Sequence, residues 1–107
     1  MTVRTAEKRR SIRVPAAYGA TIRDRRGCAL ARGRTANISE HGVFIIAHPL
    51  ARLPKAAQVY LEMILPSARD SHGRPWRRTV YYLCRIVRTE RLGHLVAVGL
   101  EFVKKLT

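Results

Sequence analysis

The chain has 107 residues, 47% of them hydrophobic, with 21 Lys and Arg against 7 Asp and Glu and a formal charge of +14 at pH 7. That length gives a single domain with a modest core, and the apolar fraction argues against disorder throughout. A surface so cationic repels itself and calls for an anionic partner, which leaves a membrane surface, a nucleic acid and a phosphorylated small molecule as candidate classes.

Residues 7–15, EKRRSIRVP, crowd Lys8, Arg9, Arg10 and Arg13 ahead of Val14 and Pro15. The chain divides there into a flexible basic arm, 1–13, and a folded domain, 14–107. After Pro15, AAYGATIR places Tyr18, Ala20 and Ile22 on one face, and DRRGCA turns through Gly27. A second strand spans about Cys28 to Ile38 with Gly33 as an interruption, SEHG turns the chain, and VFIIA is a short apolar strand. HPLARLPKA, with its two prolines, reads as an irregular connection. QVYLEMIL groups Val59, Leu61, Met63 and Leu65 on one face, and PSARDSHGRP reads as a polar loop. A long, bent strand from Trp76 to Glu90 puts Tyr82, Cys84 and Ile86 on one side; ERLGH turns at Gly93, and LVAVGLEF aligns Val96, Val98, Leu100 and Phe102. Six strands in so small a domain close into a barrel, which removes their edges.

No run is long or apolar enough to span a bilayer, and the N-terminus lacks a signal-peptide apolar segment, so a cytoplasmic protein without membrane insertion is expected. The side chains of an enzyme are not apparent. His41, His48, His72 and His94 are scattered over turns and loops, the seven acids are dispersed, and Ser39 lacks the glycine that precedes a nucleophile-elbow serine. No metal ligand set and no cofactor motif stands out, so a non-enzymatic role is expected. Cys28 and Cys84 sit in strand-like runs without a Cys or His at metal spacing, and are expected to be buried, reduced thiols.

NISEHG, residues 37–42, carries more information. Asn37 and Ser39 are short polar side chains that hydrogen-bond nearby backbone, while Gly42 permits a positive φ and a close approach by another molecule. Together with Arg9 and Arg13 in RRSIR, this gives Arg-x-x-x-Arg followed about two dozen residues later by Asn-x-Ser-x-x-Gly. The pairing resembles the PilZ domain, a bacterial receptor module for cyclic di-GMP, and the likeness extends through RVP, GRTANISEHGVFI and VAVGLEF, covering about residues 7–103.

The resemblance implies a six-stranded antiparallel β-barrel with the nucleotide on its outer surface. Arg9 and Arg13 would reach phosphates and guanines from the arm; Asn37 and Ser39 would hydrogen-bond from the barrel, with Gly42 keeping the turn low. The chemistry fits: guanidinium pairs bidentately with guanine O6 and N7 or with phosphate and stacks on bases, whereas lysine serves only phosphate well. Lys8 and Arg10 are auxiliary contact candidates. Arg85 and Arg88 belong to the same strand, but the sequence does not fix their register toward that surface. An arm that orders on binding would present an altered surface to a downstream protein.

Two departures from the family pattern stand out. Asn37 occupies a position often held by Asp, losing a charged acceptor for guanine N–H groups. VKKLT leaves room for barely one turn of the C-terminal helix that usually follows the last strand, so that helix is truncated or absent and a barrel opening is left for self-association or a partner to close. The alternative reading is a small basic β-barrel that binds nucleic acid, supported by cations in both halves of the chain and opposed by the lack of an evident aromatic platform.

Overall fold

In a computed structural model that describes residues 14–15 and 17–106, every regular element is a strand. They are β1 (Val14–Pro15), β2 (Gly19–Arg23), β3 (Ala29–Ile38), β4 (Gly42–Pro49), β5 (Gln58–Arg69), β6 (Pro75–Leu92) and β7 (Leu95–Lys105). All pairings are antiparallel, in the order β1-β3-β2-β5-β6-β7-β4, and β4 returns to pair with β3. That return closes β2 to β7 into the expected six-stranded barrel. No helix occurs among the described residues, and β7 carries the chain on through Val103, Lys104 and Lys105 as strand.

The core follows the alternation of the sequence. β5 buries Val59, Leu61 and Met63, and β7 buries Val96, Val98 and Leu100, each such aliphatic chain contributing about 1.5–3 kcal/mol on removal from water. Ile22, Ile45 and Ile86 are fully enclosed among them. Near the turn between β3 and β4, where the Phe102 N–H donates to the His41 carbonyl, Tyr82 and Phe102 stack with ring centroids 4.2 Å apart. The two rings pack against the core from that end.

Two hairpins are built by one device. In DRRGC the Asp24 carbonyl accepts from Gly27 N–H, and its Oδ1 accepts from the amides of Arg26 and Cys28 at 2.8 and 2.9 Å. In DSHGR, Asp70 does the same with Gly73, His72 and Arg74. Gly27 and Gly73 take φ of 94° and 79°, the left-handed position such three-residue hairpins need. The Cys28 amide leads in holding the Asp24 carboxyl below its ordinary pKa. This construction also corrects the sequence reading of residues 66–75 as a loop: β5 and β6 continue to Arg69 and from Pro75, leaving only a tight turn.

The cysteines separate. Cys84 is fully buried, and burial raises its thiol pKa to about 12. Cys28, expected to be buried, is exposed, because it closes the Asp24 turn at the rim before β3 begins.

Glycine makes closure possible. Gly33 on β3 faces Ala47 on β4, and a Cβ there would lie 2.0 Å from the Ile46 carbonyl oxygen. Gly33 therefore does not interrupt its strand; it admits the neighbouring backbone. Gly33→Ala is expected to lower unfolding free energy by about 3 kcal/mol, read by urea denaturation, because rigid backbone must move. Thiol titration at pH 8 is expected to label Cys28 quickly and Cys84 only on unfolding; equal rates would contradict this packing. The raised Cys84 pKa also has a sign: the unfolded thiol ionises first, so its contribution to stability is complete below about pH 9 and is lost as pH rises toward 12.

Candidate functional site

β3 is the strand around which the site is organised. Val14 and Pro15 pair with Ile38 and Asn37 on one of its edges, and Gly19–Arg23 pair further along the same edge. Thr35, buried, bridges the interval: its Oγ1 accepts from the Tyr18 amide at 2.9 Å, and its own amide donates to the Tyr18 carbonyl at 2.9 Å. The start of the described chain is thereby fixed beside the NISEHG turn.

That turn is tightly tied. The Ser39 amide donates to the Gly42 carbonyl at 2.9 Å, the Ser39 hydroxyl donates to the same carbonyl at 3.4 Å, and it accepts from the His41 amide at 3.2 Å. Ser39 is only 7% exposed. Gly42 does not take the positive φ anticipated for it; the positive-φ glycines are Gly27, Gly73 and Gly93. It is required instead for approach, since a Cβ on Gly42 would sit 2.3 Å from the Leu100 carbonyl oxygen of β7.

Two register shifts turn this part of the wall into a groove. On β3, Thr35 faces Ile45 and Asn37 faces Phe44, so Ala36 is an extra residue; on β6, Ile86 faces Leu100 and Arg88 faces Gly99, so Val87 is extra. A bulge re-aims the side chains next to it. Here the result is a continuous outer row, Asn37–Phe44–Gly99–Arg88, across β3, β4, β7 and β6. These four residues, with Val43, Val87 and Leu100, line a cavity of about 660 Å³. Gly99 forms its floor: a Cβ there would already be 3.3 Å from Arg88 Cβ and 3.8 Å from Phe44 Cδ1.

The groove is polar at its margins and apolar between them. Asn37 is half-buried at one end, the Arg88 guanidinium stands at the other, and Phe44 and Val87 lie between. Arg88 has Glu90 3.9 Å away, a loose exposed pair. Arg85 is engaged by Glu101 on the same outer face and does not line the cavity.

Of the candidates from sequence, Asn37 lines the groove, while Ser39 and Gly42 build the turn beside it. Lys8, Arg9, Arg10 and Arg13 lie outside the described residues. The sequence alone does not fix the direction of Arg88, and Phe44, Val87 and Gly99 join the groove without being among the candidates it offers. VGLEF carries the clue of a glycine within an otherwise apolar strand, which marks a close approach or an opening. Among the described residues no three His, Cys, Asp or Glu side chains come together in a way that could hold a metal ion. No helix among them is long and apolar enough to cross a membrane.

A family model described as the PilZ domain matches residues 7–107. No curated protein sequence matches the chain. Among solved structures, the chain is similar to the Bacillus subtilis inhibitor of motility, MotI/DgrA, at a TM-score of 0.71 and 16% identity over 92% of its own length. It spans 44% of that chain, and at this identity the likeness bears on the fold. Ser39→Ala is expected to cost about 1 kcal/mol and to speed hydrogen exchange at His41, whose amide loses its acceptor. Unchanged His41 exchange would place the turn's stability elsewhere.

Proposed function

The chain belongs to the PilZ domain family, a family of cyclic di-GMP receptor domains rather than enzymes, and on that premise we propose that it binds cyclic di-GMP across the Asn37–Arg88 groove. The observation that carries the reading is the groove's position: it opens on the barrel wall beside the β1–β3 pairing from which the arm departs. Val14, opposite Ile38, is bonded to Arg13, so the Arg-x-x-x-Arg segment is rooted at the Asn37 end of the groove.

The volume, about 660 Å³, falls within the roughly 300–1,000 Å³ common for small-molecule pockets. In this reading Asn37 hydrogen-bonds a guanine edge, Phe44 and Val87 give a base its apolar contact, and Arg88 supplies a guanidinium to phosphate or guanine. Arg9 and Arg13 complete the clamp from the arm, with Lys8 and Arg10 as further phosphate contacts. Ser39 and Gly42 act mainly by holding the turn and the β4–β7 crossing beneath the ligand. Binding orders the arm over the wall and changes the surface offered to a downstream protein, in the cytoplasm, in control of motility or biofilm formation. The +14 charge keeps nucleic acid as the second reading.

Calorimetric titration with cyclic di-GMP tests the proposal. Arg9→Ala, Arg13→Ala and Arg88→Ala are each expected to weaken binding about tenfold to a hundredfold, as loss of a hydrogen bond to a charged group does. Gly99→Val is expected to abolish binding because its side chain fills the groove floor; a Cβ there already crowds Arg88 Cβ at 3.3 Å, so the thermal midpoint is measured alongside to separate loss of the groove from loss of the fold. Equal affinity across wild type and variants would reject the clamp. A shallow salt dependence is expected; a steep one, with tight binding to mixed-sequence DNA or RNA, would favour the nucleic-acid reading.

A further inference from the structure

A second concavity lies on the other flank of the barrel. β3 and β6 stand opposite one another in the ring of strands; the first groove spans them through β4 and β7, and the second lies on the side of β2 and β5. Gly19 on β2 pairs with Arg34 on β3 and with Ile64 on β5. Ala17, Tyr18, Gly19, Arg34, Ile64 and Arg77 enclose about 250 Å³.

Its chemistry is one-sided. Arg34 is anchored by an Nη2–H bond to the Ala17 carbonyl at 3.0 Å, which leaves its remaining N–H groups available. The Arg77 side chain, exposed, makes no ion pair or hydrogen bond among the described residues. Glu62, two residues before Ile64 on β5, is already held by Arg23 through two bonds of 3.1 and 3.0 Å and by the Tyr81 hydroxyl at 3.3 Å. Two arginines therefore share a depression that no carboxylate lines among the described residues, over an apolar floor of Ile64 and at the edge formed by Ala17 and Tyr18. Ile64 remains 39% exposed, so the floor is open to a ligand.

We propose that this concavity is a second anion site, separate from the cyclic di-GMP groove, that takes a phosphate monoester carried on a small apolar group. Two guanidiniums match a dianion, whose oxygens accept paired N–H bonds, better than a monoanion. The exposed apolar floor of Ile64 gives the attached group its contact. The volume lies below the roughly 300 Å³ at which drug-sized pockets begin, which suits a phosphate on a short stub rather than a whole dinucleotide. The inference stands on these residues alone and does not depend on the nucleotide reading of the first groove.

Gly19 provides a clean variant. A Cβ at Gly19 meets nothing closer than Ile64 Cβ at 4.0 Å, and its φ is not in the left-handed region, so the strand accepts valine there while the side chain occupies the depression. The test is amide chemical-shift titration of the full chain with phenyl phosphate, with benzoate as the monoanionic comparison. Saturable shifts at Tyr18, Gly19 and Ile64 are expected, with benzoate several-fold weaker. Arg34→Gln, Arg77→Gln and Gly19→Val are each expected to weaken phenyl phosphate about tenfold. Unchanged thermal midpoints and an unchanged response to cyclic di-GMP separate this result from misfolding and from the first groove. Shifts that do not saturate, that spread evenly over the cationic surface, or that persist in the variants would overturn the site; equal binding of benzoate would overturn the assignment to a dianion.

Discussion

Everything on the outer wall depends on the seam where β4 returns to β3. Without that pairing the strands would form an open sheet with two unpaired edges, and Asn37 and Phe44 would not stand side by side. The seam brings backbones too close for side chains at Gly33, and the same tightness recurs between Gly42 and Leu100 where β4 meets β7. Closure is therefore written in missing Cβ atoms as much as in apolar alternation. It also explains why a motif glycine that could be attributed to turn conformation serves packing instead.

Given a closed wall, the two bulges open a groove in it. A regular barrel presents alternate side chains outward with no concavity, whereas the extra residues Ala36 and Val87 shift the outward rows on β3 and β6. Gly99 then leaves the space between Phe44 and Arg88 unfilled. The groove lies where the first described residues pair with β3, so wall and lead-in are brought together by topology rather than by a dedicated lid domain. Charge follows the same plan: Glu101 is occupied by Arg85, so that among the described residues Arg88 keeps a loose contact to Glu90.

Much of this was legible in the sequence where periodicity speaks. QVYLEMIL and LVAVGLEF alternate cleanly because each has one face in the core and one in solvent, and the burial of Val59, Leu61, Val98 and Leu100 follows directly. The glycine-bearing turns at 27 and 93 also stood out. The bulges did not, since TAN and IVR contain nothing that distinguishes an inserted residue from a regular step, and one such step reverses every side chain after it. Arg88 could not be placed for this reason. The strand-like neighbourhood of Cys28 hides its part in the Asp24 turn, and the polar composition of residues 66–75 masks strand pairing up to the Asp70 hairpin. The Asn37–Gly42 motif was readable as a candidate site, but the row to which Asn37 belongs is a product of four strands meeting.

The central claim is that cyclic di-GMP lies across β3, β4, β7 and β6 with the arm closing over it. Its most direct test is the map of backbone amide shifts as cyclic di-GMP is added to the full chain. Saturable changes concentrated at Asn37, Phe44, Arg88 and Gly99, together with residues 8–13, are expected. Changes confined to the β2–β5 flank, or none at the Asn37–Arg88 row at saturating ligand, would contradict the account.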